Sequence, residues 1–377
     1  MKRIMIIGLI ILCLLIIGCG AKKDGDIDSY DFRKGTQGLT MKFVDGMPPS
    51  TLFVGSQFSL GLNIKNDGAY NIMDMGDIRI SVPDAEAFDF PEGKEQFFTL
   101  EGKSLYVKEG QEQVIGFPMN SKCIPYGTYR KNYTAKIQAI ACYPYETVAQ
   151  ADICIDTMFY TRQKGQKGAC EMKQVSLSGG QGGPVGVTSV PKPNILDSGE
   201  KISVQISIPL KNLAGKGVSV FNPSVTCEDF RTKPEATKRM NEIEFVATLA
   251  GKPMKCRPAK ILKLKQARDT GILCEIEVDK NAGAYTTPLM VHMKYHVLQK
   301  AIKEVKVSPP PEGGKAVDCQ KMTSTTTQEG DRCESEQSGY SCTDVSSQCP
   351  SGDSGCITGL GCVQGLCSGS ATRVCCP

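Results

Sequence analysis

The sequence predicts an all-β fold made of two tandem β-sandwiches and a small disulfide-rich C-terminal module. Three observations carry this. Short runs alternate apolar and polar residues, one such run recurs at a domain-sized interval, and nine of the eighteen cysteines crowd into residues 315–377. Outside the N-terminal run no long stretch repeats its apolar residues every 3.6 positions, so no helical domain is expected. A chain of 377 residues exceeds what one sandwich core fills and suits two plus an appendage.

The first element is an export signal. Met1-Lys2-Arg3 precedes an apolar run from Ile4 to Ile17, the charged and apolar regions of a signal peptide over residues 1–18. As a helix this run rises only about 21 Å, short of a bilayer core of about 30 Å. It ends in Ile16-Ile17-Gly18-Cys19, which resembles the lipobox of lipoproteins and implies lipidation at Cys19. An uncleaved anchor helix extended through Gly20 and Ala21 is the other reading. Either way the expected location is the extracellular face of the cell membrane, anchored at the N-terminus. Residues 19–35 are then a polar tether. Its Asp24, Asp26 and Asp28 lack the turn glycine and the closing glutamate of a calcium loop.

The first sandwich is expected over residues 36–175. Phe58-Ser59-Leu60-Gly61-Leu62-Asn63-Ile64 alternates strictly, and Asn66-Asp67-Gly68 supplies a tight turn. Further strands are expected at Leu39 to Val44, Ile78 to Val82, Gln113 to Phe117, Tyr133 to Cys142 and Thr147 to Ile155. The second sandwich, over 186–308, opens with Val204-Gln205-Ile206-Ser207-Ile208-Pro209-Leu210, which lies 146 residues after the first copy and leaves through the same Lys-Asn pair, Lys211-Asn212 matching Lys65-Asn66. Its other strands are expected at Ile243 to Leu249, Ile261 to Leu264, Ile272 to Val278 and Leu289 to Leu298. Ser178 to Pro184, rich in glycine, marks the boundary between the copies. Ser308 to Gly314, with three prolines, opens the linker and Cys-rich module of residues 309–377. That module has too few aliphatic residues to fold without cross-links.

The strand with its Asn-x-Gly exit resembles the adhesion-related Ig-like modules called CARDB. Ile140 to Tyr145, Ile153 to Asp156, Val175 to Val185 and Gly283 to Leu289 resemble segments of uncharacterised archaeal cell-envelope proteins and lipoproteins. The resemblance spans about residues 36–308. It implies tandem Ig-like sandwiches outside the cell, and it brings no catalytic residue with it.

Setting aside Cys13 and Cys19 leaves sixteen cysteines, an even number, which in an exported chain reads as disulfides. They are Cys123, Cys142, Cys154 and Cys170 in the first sandwich, Cys227, Cys256 and Cys274 in the second, and Cys319, Cys333, Cys342, Cys349, Cys356, Cys362, Cys367, Cys375 and Cys376 in the tail. Two modules hold odd numbers, so the expectation is Cys256 with Cys274 and Cys227 with a tail cysteine such as Cys319. Asn132-Tyr133-Thr134 is the usable glycosylation acceptor, Asn222 being followed by proline.

Forty-four Lys and Arg against forty Asp and Glu leave no strong field for nucleic acid. His292 and His296 are four apart, but they alternate with Val291, Met293, Tyr295 and Val297 as the polar face of a strand with Lys294 between them, so no metal is expected. Gly352-Asp353-Ser354-Gly355 matches a serine-protease tetrad yet lies in a cysteine-bound loop without a base histidine. Glu242 and Glu244 read as the wet face of a strand. Tyr143, Tyr145, Phe159 and Tyr160 read as core aromatics, with a ligand surface as the lesser reading. No catalytic residue and no cofactor are expected. The expected role is a non-catalytic surface protein with an unknown extracellular protein or glycan as partner. The other reading is a substrate-binding accessory of secreted enzyme or uptake machinery, or a carrier of a small inhibitor-like module.

Overall fold

The computed structural model describes residues 31–83, 87–122, 133–163, 166–265 and 268–308, and the backbone of 341–344 and 373–376. The signal run, Cys19, Cys123, Asn132 and the Ser354 tetrad lie outside the described residues. What is described is nearly all β, as the period-two alternation requires.

One small sheet has the order β1 (Leu39–Phe43), β3 (Gln57–Asn66), β7 (Glu112–Ser121), β5 (Phe88–Asp89). A second has β10 (Val185–Val187) and β12 (Asn194–Asp197) on one side of β13 (Ile202–Asn212), then β19 (Thr270–Val278) and β17 (Lys255–Arg257). The repeated sequence strands are β3 and β13, and they hold equivalent places. Leu39 pairs with Asn66 as Val185 pairs with Asn212. The shared Lys-Asn exit has a physical cause. Asn66 Oδ1 accepts from Gly68 N–H and Asn212 Oδ1 accepts from Ala214 N–H, two residues on in each case, the Asx turn that asparagine favours at a strand exit.

Both small sheets pack on one face of a sheet of nine strands. Its path is β16 (Lys252–Pro253), β15 (Glu242–Leu249), β20 (Ala284–Ser308), β8 (Tyr133–Asp156), β4 (Ile72–Ser81) and β6 (Glu95–Leu100), with β14 (Val218–Phe221), β18 (Ile261–Lys263) and β2 (Thr51–Phe53) added at its flanks. Two short pairs complete the described fold, β9 (Val175–Ser176) with β11 (Ser189–Val190) and β21 (Ser341–Asp344) with β22 (Arg373–Cys376). Among the described residues no helix is long and apolar enough to cross a membrane.

The expected strands 133–142 and 147–155 are one strand, β8, antiparallel to β20 from Tyr133↔Val307 to Ala284↔Asp156. At about 3.4 Å per residue this ladder is about 80 Å long. Pro144 sits inside β8, and the pairing with β4 stops at Asp77↔Cys142, two residues short of it. An imino residue has no N–H to give that neighbour. The sheet does not break at the glycine-rich segment 178–184. One buried core, from Leu39 to Val307, joins both copies through Leu60, Ile64, Ile206 and Leu210. Each fully buried aliphatic side chain there contributes about 1.5–3 kcal/mol relative to exposure.

Tyrosines of the long strands fasten the small sheets to this spine. Leu39 N–H donates to Tyr143 Oη, and Val185 N–H donates to Tyr295 Oη. The bond therefore recurs in both copies at the first residue of the edge strand. Tyr145 Oη donates to Gly182 O and accepts from Tyr70 N–H. Burial pushes all three phenols well above the usual tyrosine range, so they act as neutral hydrogen-bonding groups.

Candidate functional site

A cleft of about 650 Å³ lies on the outer face of the nine-stranded sheet where the two copies meet. Its floor comes from β4 and β8, where Asp77 and Pro144 lie beside the sheet's centre. One wall is β6 with Glu95 and Phe97, and the opposite wall is α1 (Cys227–Thr232), which carries Glu228 and Arg231.

The short helix α1 has clear local causes. Thr226 caps it, its side chain accepting from Asp229 N–H at 3.0 Å. Glu228 and Asp229 occupy the first turn and Arg231 the last, as the helix dipole favours. The helix ends before Pro234, which disfavours a helical residue ahead of it. Six residues do not hold as a helix alone, and three contacts pin this one. Cys227 is bonded to Cys142 of β8, Phe230 stacks on Phe221 at 4.7 Å between ring centroids, and Arg231 grips the sheet. Phe221 in turn stacks on His296 at 5.2 Å, so an imidazole forms part of the cleft's base.

Three carboxylates share one guanidinium. Arg231 Nη1 lies 2.7 Å from Asp77 Oδ1 and 2.9 Å from Glu95 Oε1, and Nη2 lies 2.9 Å from Glu228 Oε2. The Asp77 side chain is 4% exposed. Its burial pushes its pKa up to about 6, against the pull of Arg231 and with help from Glu95 and Glu228. Burial also lowers the pKa of His296. Hydrogen bonding is incomplete here. Four buried side-chain atoms among the described residues have no hydrogen-bond partner, and three of them belong to this site: Arg231 Nε, Glu95 Oε1 and His296 Nδ1. Glu95 Oε1 is close to Arg231 Nη1 yet misaligned for a hydrogen bond. Above this polar base stand exposed apolar groups, Phe97 at 72% and Met73 at 54%. The arrangement can bind a ligand through a charged, hydrogen-bonding base and an apolar rim.

The sequence-predicted residues fall in several places. Cys256 is bonded to Cys274 and Cys154 to Cys170. The expected link from Cys227 to the tail is corrected: Cys227 pairs with Cys142 of the first copy, their Cα atoms 5.9 Å apart. Parity treated each module as separate, whereas the shared sheet brings α1 onto β8. Cys342 and Cys375 are register partners in β21 and β22, and the other tail cysteines lie outside the described residues. His292 Nδ1 is 3.0 Å from Glu146 while His296 stacks on Phe221, so the two rings have separate partners. Glu242 faces Arg239 and Glu244 faces Lys260, as residues on an ion-paired strand face. Tyr143 and Tyr145 are core, but Phe159 and Tyr160 are exposed, held by a loop that Cys154–Cys170 and a two-oxygen grip of Arg162 on Asp156 brace. Asp77, Glu95 and Arg231 gave no sequence signal as a site. Asp77 and Arg79 alternate with Ile78 and Ile80, the pattern of a wet strand face, and only the fold lays α1 over Asp77.

No family model matches this chain, and no curated protein does. Among solved structures, the sporulation control protein Spo0M from Bacillus subtilis is 8% identical with a TM-score of 0.14, covering 46% of this chain and 80% of that one. A DUF4466 family protein from Parabacteroides merdae is 9% identical with a TM-score of 0.14, covering 68% and 99%. An Escherichia coli alpha-2-macroglobulin activated by porcine elastase is 9% identical with a TM-score of 0.10, covering 72% and 32%. Likenesses of this size carry no argument about fold or function.

Proposed function

We propose that this chain is a non-catalytic structural and interaction protein of the extracellular membrane face. Cys19 lipid or an anchor helix holds its N-terminus, and its two repeats are Ig-like sandwiches akin to those of archaeal envelope proteins. The observation that supports this best is the covalent and hydrogen-bonded union of the repeats. A ladder of about 80 Å and the Cys142–Cys227 bridge make the two copies one stiff spacer. Disulfides of this kind persist in an oxidising compartment. The test is location and redox state together. Surface proteolysis of intact cells, a membrane-impermeant thiol label and the mass of the mature N-terminus are expected to report an exposed chain, no free thiol at Cys142 or Cys227, and a lipid on Cys19 or an intact anchor. A cytosolic chain with reduced thiols would refute the reading.

The cleft favours a second reading, a binding accessory of secreted enzyme or uptake machinery. It lies between the repeats with a polar base, which a purely convex stalk lacks. Equilibrium dialysis of the purified full chain against the small molecules of the growth medium tests it, with specific uptake abolished by Arg231→Ala as the expected result.

A further inference from the structure

The cleft has one strand wall, and that strand is an edge. β6 is the terminal strand of the nine-stranded path, and among the described residues no strand pairs along its outer side; β7 approaches it, Gln96 Nε2 donating to Gly116 O at 2.7 Å and Gln111 N–H donating to Glu101 O just past the strand's end. The same strand sends Glu95 and Phe97 into the cleft. An unpaired edge beside a side-chain pocket is the geometry in which an extended peptide adds as a further strand and places one side chain in the pocket.

The charge says which side chain. Asp77, Glu95 and Glu228 surround a single cation, Arg231. Among the described residues no lysine or second arginine lines the cleft, so with all three acids ionised these groups carry a net negative charge. A cationic group is drawn in, and an acidic one is repelled. The unpaired atoms sharpen this. Glu95 Oε1 is a buried acceptor without a donor, and Arg231 Nε is a buried donor without an acceptor. A simple amine offers donors alone, whereas a peptide carrying a basic side chain offers both. Phe97 and Met73, at the rim, cover the aliphatic stem that such a side chain buries while its charged head goes deeper.

We infer that the cleft is a docking site for an extended segment of a partner polypeptide, which pairs along β6 and inserts an arginine or lysine side chain toward Glu95 and Asp77. This rests on the reading of the chain as an interaction protein and names the chemistry of its partner.

The test uses the full chain, purified oxidised in detergent. The probes are pools of acetylated, amidated pentapeptides whose central residue is Arg, Lys, citrulline or Glu and whose other positions are drawn from Val, Ile, Thr and Ser. Calorimetric titration at low salt is expected to show the Arg and Lys pools binding at least tenfold tighter than the citrulline pool, with the Glu pool silent. In the chain carrying Glu95→Gln on β6 and Glu228→Gln on α1, two side chains that are partly exposed, the preference is expected to fall below threefold. N-methylation of alternate peptide amides is expected to weaken the Arg pool at least tenfold. Equal binding of the Arg and citrulline pools, or no binding at millimolar peptide, overturns the proposal. So does argininamide binding as tightly as the Arg pool, which would make this a bare cation site, or N-methylated peptides binding undiminished. If the peptides fail while the chain is found oxidised on the cell surface, the surface reading stands and only the partner chemistry falls.

Discussion

Asp77→Asn probes the cleft through pH. The substitution keeps the shape of the side chain and removes its charge, and Arg231 retains Glu95 and Glu228 as partners. In the folded chain the Asp77 carboxyl titrates near 6, above the ordinary value of 3.8. The folded state therefore holds the proton more tightly than the unfolded one, and stability attributable to Asp77 is fully present below the unfolded pKa and is lost as pH rises through about 6. At about 1.4 kcal/mol per pKa unit, the difference of about two units corresponds to about 3 kcal/mol between pH 4 and pH 7.5. The Asn variant lacks this dependence, so wild type minus variant should fall by an amount of that order across the window. The chain has no tryptophan, so urea unfolding followed by far-ultraviolet circular dichroism is the suitable assay. A difference that stays constant from pH 4 to 7.5, or that moves in the wild type's favour as pH rises, would refute the electrostatic account of the cleft.

Other perturbations test the frame around it. A Cβ at Gly68 would collide with the Tyr145 hydroxyl and lie 2.6 Å from Gly182 O, whereas Gly116 has nothing within 4 Å; Gly68→Ala should lower stability by about 3 kcal/mol or more and Gly116→Ala by less than about 1 kcal/mol in the same unfolding assay. Tyr295→Phe removes the acceptor of Val185 N–H, costing about 1–3 kcal/mol, with amide exchange at Val185 accelerating while that at Leu39, held by Tyr143, does not. Peptide mapping under non-reducing conditions should release Cys142 joined to Cys227, and a Cys227 peptide joined to the tail would contradict the fold. Replacing that pair by Cys142→Ser and Cys227→Ser opens a loop of 85 residues, for which chain entropy predicts a loss of about 4–5 kcal/mol.

The sequence by itself determined the strands and the repeat. Period-two alternation is local, and burial of one sheet face enforces it, so β3, β13, β15 and β19 stand close to where the pattern put them. The 146-residue repeat is equally local, because an asparagine at a strand exit bonds its own backbone two residues on. Only the tertiary structure decided that β8 and β20 zip along their whole length, since which strands pair depends on edges that meet in space rather than on any residue's own preference. That pairing brings Cys227 to Cys142, lays α1 over a strand face that reads as solvent, and turns Asp77 from a surface carboxylate into the buried base of a cleft. Burial and partners are properties of the packed chain, and no spacing along the sequence encodes them.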